Sequence, residues 1–72
     1  MDPQTTWRRL IDAYAIRDLE TATTAAEDLN AWLTRGGFPP QVLPEPWRMD
    51  ERWNRTLAQA ACRFILSQCE SK

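Results

Sequence analysis

Four prolines, Pro39, Pro40, Pro44 and Pro46, stand within eight residues, one residue after the pair Gly36-Gly37. Proline lacks an amide hydrogen and clashes with the preceding helical turn, so no regular helix runs through this stretch. The proline block cuts the chain in two, and each part carries apolar residues at three- and four-residue steps, the helical period. At 72 residues the whole makes one domain, residues 1–72. The expected fold class is all-α: a small three-helix domain built from an αα-hairpin and a longer C-terminal helix after a Pro-rich loop.

The first helix is announced by Asp2-Pro3. Asp accepts from orphan N–H groups as an N-cap, and Pro suits the first helical position. Trp7, Leu10, Ile11, Tyr14 and Ala15 form one apolar stripe, which places helix 1 at about 3–16. Asp18 caps a second helix after a very short turn. Leu19, Ala22, Ala25, Ala26, Leu29, Trp32 and Leu33 form its inner face, and Gly36-Gly37 ends it near residue 35, because a left-handed C-cap favours glycine. Short turns make antiparallel neighbours, so helices 1 (3–16) and 2 (19–35) pair as a hairpin. With its Arg17-Asp18-Leu19 turn and the small residues after it, the stretch 13–33 resembles the helical hairpin of tetratricopeptide-type repeats, present as a single unit.

The irregular stretch 38–46 reads FPPQVLPEP. No two of its prolines are three apart, so the PxxP ligand pattern is missing. It is expected to cross the end of the hairpin, pinned by Phe38, Val42 and Leu43; the functional alternative is an exposed docking segment. The third helix, expected at about 48–68, starts between Pro46 and Glu51. Trp53, Leu57, Ala60, Ala61 and Phe64 make one apolar stripe, and Ala58, Cys62, Ile65 and Cys69 a second, with Leu66 beside it. A helix apolar on most sides must be covered on most sides, and one hairpin covers a single face.

Composition removes most chemistry. The chain has no histidine, so it has neither a Ser-His-Asp nor a Cys-His pair. Gly36-Gly37 follows a helix and precedes prolines, which fits neither a phosphate loop nor a dinucleotide fingerprint. Two cysteines without histidine make a poor zinc site. At seven-residue spacing on one helix, Cys62 and Cys69 stand about 10.5 Å apart along the axis, too far for a disulfide. The expectation is a non-enzyme without cofactor or metal. The net charge of −1 argues against a dedicated nucleic-acid binder. The sequence shows neither a leader pattern nor a long apolar run, so the expected location is cytoplasmic and no membrane is involved.

Apolar burial of about 110 kcal/mol is matched by an ordering cost of about 110 kcal/mol, so self-association is a natural source of added stability. The functional expectation is therefore a non-catalytic protein–protein interaction module, an adaptor or regulator that forms a homo-oligomer. Its candidate protein-binding residues are Phe38, Trp47, Arg48, Cys62, Ile65, Leu66 and Cys69. Trp47-Arg48 leads the set, because Trp and Arg are enriched at binding hot spots. The surplus on helix 3 is expected at Cys62, Ile65, Leu66 and Cys69. One alternative is a nucleic-acid-binding regulator that uses Arg48, Arg52, Arg55 and Arg63 as a phosphate-contacting ridge. Another is a structural subunit of a larger assembly.

Overall fold

The structure, a computed structural model, describes the backbone of residues 1–70 and the side chains of residues 1–68. Three helices, α1 (Pro3–Ala15), α2 (Leu19–Thr34) and α3 (Glu51–Glu70), account for all its regular structure. There is no strand among the described residues.

Each helix end has a local chemical cause. The Asp2 carboxylate accepts from the Gln4 N–H at 3.1 Å and from the Thr5 hydroxyl at 2.7 Å. The Thr5 bond, ahead of the backbone donors, holds that carboxyl below its ordinary range. At the other end of α1, the Arg17 N–H bonds to the Tyr14 carbonyl and the Asp18 N–H to that of Ala13, 3.0 and 2.8 Å. This paired closure needs a left-handed residue, and Arg17 supplies it at φ 63°. A non-glycine residue there costs about 1–2 kcal/mol. The Arg17 side chain offsets part of that cost: Nη1 donates to the Tyr14 carbonyl at 2.7 Å, and the guanidinium stacks 4.6 Å from the Tyr14 ring centre. α2 closes the same way, with Gly36 at φ 93° and the Gly37 N–H on the Trp32 carbonyl at 2.9 Å.

α2 lies between the two other helices and packs against both. Ala22, Ala25, Ala26 and Leu29 on α2 are fully buried. Small residues along this seam let the outer helices approach closely. On α1 the buried set is Pro3, Thr6, Leu10 and Ala13. The expected α1 stripe is thus turned by part of a step: Trp7 and Tyr14 sit half-buried at its shoulder, and Ile11 and Ala15 face water. The close alanine seam selects small side chains and moves the bulky ones aside.

The stretch 38–46 does cross the end of the hairpin. Gln41 pairs with Gln4 of α1, its N–H donating to Gln4 Oε1 at 2.8 Å while Gln4 Nε2 donates to the Gln41 carbonyl at 3.2 Å. The Val42 N–H donates to Asn54 Oδ1 of α3 at 3.3 Å. Pro40 is buried and Val42 and Leu43 are half-buried, but Phe38 is 62% exposed. Helix α3 starts at Glu51 rather than 48, because the Asp50 carboxylate caps it, accepting from the Trp53 N–H at 2.8 Å.

Candidate interaction surface

The two apolar stripes of α3 part company in the fold. Ala58, Cys62 and Ile65 are buried and, with Asn54, form the inward face. Ala58 and Cys62 are small enough to meet the alanine seam of α2; Trp53 and Phe64 are not. Burial pushes the Cys62 thiol up to about 11, so at neutral pH it is an inert hydrophobe. Most of the other stripe stays exposed: Trp53 is 42%, Leu57 37% and Phe64 51% exposed, with Ala60 exposed between them, while Ala61 of the same expected stripe is half-buried. At 100° per residue, the four exposed side chains fall within about 60° of the helical wheel. Met49 and Trp53 line one shallow depression with Leu57.

The surplus exists, but the expected residues do not form it. Cys62 and Ile65 belong to the core and offer no free surface, and Leu66 is half-buried against it. Cys69 lies outside the residues whose side chains are described. Trp47, at 61%, and Arg48 are exposed, and so is Phe38, which does not pin the Pro-rich stretch to the core. They are nonetheless not one patch. Phe38 stacks edge-on against Trp32, whose Nε1 donates to the Phe38 carbonyl at 2.8 Å. The Trp47 N–H closes a turn on the Pro44 carbonyl at 3.0 Å, and Arg48 pairs with Glu45 at 3.2 Å.

The arginine ridge does not form. Arg48 stands before the helix. Arg55 turns toward α2, where Nη1 donates to the Leu33 carbonyl at 3.0 Å and Nη2 pairs with Glu51 at 3.0 Å. A cation at the carbonyl end of a helix is favourable there. Arg52 and Arg63 are exposed and make no ion pair among the described residues.

α1 and α3 flank α2 and point in the same direction. The 41–42 segment ties Gln4 to Asn54 at one end, and the Tyr14 and Phe64 rings meet edge-on at 5.8 Å at the other. Both ties are ten residues apart along their helices, about 15 Å. Phe64, at the C-terminal end of the row, thus touches Tyr14 of α1 while remaining 51% exposed. Two residues that organise this arrangement, Gln4 and Asn54, were not singled out from the sequence. Asn54 is 7% exposed, and its Nδ2 also donates to the Met49 carbonyl at 3.2 Å. A polar residue on the phase of a buried stripe was the one available sign.

Among the described residues, no three His, Cys, Asp or Glu side chains gather as a metal site, and no helix is long and apolar enough to cross a membrane. Compared with protein-family models, curated proteins and solved structures, the chain matches none.

Proposed function

We propose that this chain is a non-catalytic, cytoplasmic protein–protein interaction module that presents the outer face of α3 to another protein chain. One observation carries the reading. The core of the domain is filled by one stripe of α3, yet a second stripe, Trp53, Leu57, Ala60 and Phe64, stays in water. Apolar rows of this extent on a small domain mark interaction sites. Two aromatic rings give the row the side chains that contribute most at interfaces. Trp47 and Met49 lie just before the helix and add apolar surface at its N-terminal end.

The reading predicts a site-specific result. A photo-crosslinking residue at Leu57, introduced in cells, yields protein adducts. The same residue at Glu27, on the exposed acidic side of α2, yields none. Adducts to nucleic acid, or no adduct from position 57, would overturn the reading.

A further inference from the structure

We infer that Asn54 is the residue that keeps the interaction face of α3 outside: its buried amide fixes the helix in the rotational setting that leaves Trp53, Leu57, Ala60 and Phe64 in water. This role rests on the outer row as the interaction face and names the side chain that positions it.

Two rotational settings of α3 compete. Its inward residues Asn54, Ala58, Cys62 and Ile65 and its outward residues Trp53, Leu57, Ala60 and Phe64 lie about a third of a turn apart on the helical wheel. Turning the helix about its axis by that amount exchanges one set for the other. The alanine seam of α2 resists the exchange, because it takes small side chains at close range. Burial favours it, because Trp, Leu and Phe remove more apolar surface from water than Ala, Cys and Ile do. Apolar packing pulls both ways, and a directional bond separates the settings.

Asn54 makes that bond. It and Thr6 are the two polar side chains buried among the described residues. The Thr6 hydroxyl donates to the Asp2 carbonyl at the start of its own helix, 3.1 Å away. Asn54 reaches outside its helix with both ends of the amide. Oδ1 accepts from the Val42 N–H at 3.3 Å, and Nδ2 donates to the Met49 carbonyl at 3.2 Å. Both partners lie in the segment between α2 and α3, so the amide anchors the helix to the loop. No buried side-chain nitrogen or oxygen is left unpaired among the described residues.

A third of a turn would carry the amide away from Val42 and Met49, and the half-buried Val42 N–H would lose its acceptor. Burying a polar group costs free energy unless it is paired, so one setting satisfies these groups and the other does not. A single buried Asn selects one register among apolar alternatives in coiled coils in the same way, at some cost in stability. Arg55 adds a second tie in the same setting, through Nη1 on the Leu33 carbonyl at 3.0 Å.

Thiol labelling of the full chain tests the role. Cys62 is fully buried on the inward face, and Cys69→Ser in every protein compared leaves it the sole thiol. With Asn54 present, Cys62 reacts only as fast as global unfolding, measured in urea, allows. Asn54→Leu keeps the helical circular dichroism and the urea midpoint. Its Cys62 nonetheless reacts about ten times faster or more than unfolding allows, and the Trp53 indole N–H resonance shifts or splits. Thr6→Val, a similar change at the other buried polar residue, leaves both readouts as they were. Cys62 of Asn54→Leu reacting no faster than unfolding allows would overturn the role. So would a chain that unfolds in both Asn54→Leu and the smaller Asn54→Ala, because the amide would then hold the fold itself rather than choose between settings. None of these readouts involves a partner. A role that fails while position 57 still crosslinks to protein leaves the interaction reading standing, and labelling as expected without crosslinks defeats that reading alone.

Discussion

α2 and α3 both carry apolar residues at the helical period and use them differently. Along α2 the buried residues are four alanine and leucine positions on one seam plus Leu33, and the opposite side shows Glu20, Glu27 and Asp28 to water. Its apolar width equals the width its neighbours cover. α3 is longer and has two apolar stripes, of which the fold covers only one. The contrast separates two roles for a hydrophobic side chain. On α2 it holds the domain together; on the outer row of α3 it stays available to something else.

The contrast breaks most readily at α2. Leu29 is fully buried in the core, and Leu29→Ala should cost about 3 kcal/mol. For a domain of this size that lowers the melting temperature by roughly 12–24 °C, read by thermal circular dichroism. A melt within a few degrees of wild type would mean that the seam is looser than described.

The end of α2 should respond nearly as strongly. A Cβ on Gly37 would overlap the Trp32 indole. Gly37→Ala therefore forces Trp32 off its bond to the Phe38 carbonyl, at a cost of about 2 kcal/mol. Chemical denaturation measures this, and the Trp32 indole N–H resonance reports the lost bond. An unchanged resonance would contradict the packing.

The inward stripe of α3 should give a pH signature. Burial raises the Cys62 thiol from 9.0 to about 11, so the folded state holds its proton where the unfolded chain releases it. The stability tied to this thiol is fully present below pH 9 and is lost as pH rises through 11, by up to about 2 kcal/mol. Urea midpoints of wild type should fall faster than those of Cys62→Ala across that window. Equal slopes would place Cys62 in contact with water.

Much of this contrast is legible in the sequence. Asp2-Pro3, Asp18 and Gly36-Gly37 are local signals, and they put the ends of α1 and α2 within a residue of where they fall. The width of apolar surface on α3 is equally local, because it follows from the identities of its own residues. What escapes is phase. Hydropathy favours Trp7 and Ile11 as the α1 core, yet the close seam of α2 takes Thr6 and Ala13. The same seam chooses Ala58 and Cys62 over Trp53 and Phe64 on α3. Asn54 then fixes the choice by bonding to Val42 and Met49, and Arg55 does so by reaching Leu33. The Val42 and Leu33 partners are distant in sequence, and no periodicity reveals them. The start of α3 has a similar cause: the sequence places it between Pro46 and Glu51, and the Asp50 carboxylate on the Trp53 N–H fixes it at Glu51.

The central claim is that one helix has a face that builds the fold and a face that does not. Ala58 and Ala60 stand two residues apart on α3, the first fully buried and the second exposed. Ala58→Glu and Ala60→Glu make the same chemical change, so urea unfolding of the two variants, followed by circular dichroism, compares the faces directly. Ala58→Glu should cost more than about 3 kcal/mol and leave the chain largely unfolded, because the carboxylate has no partner in the core. Ala60→Glu should fold, with stability within about 0.5 kcal/mol of monomeric wild type. Equal losses at both positions would show the outer row to be part of the core and would contradict the account.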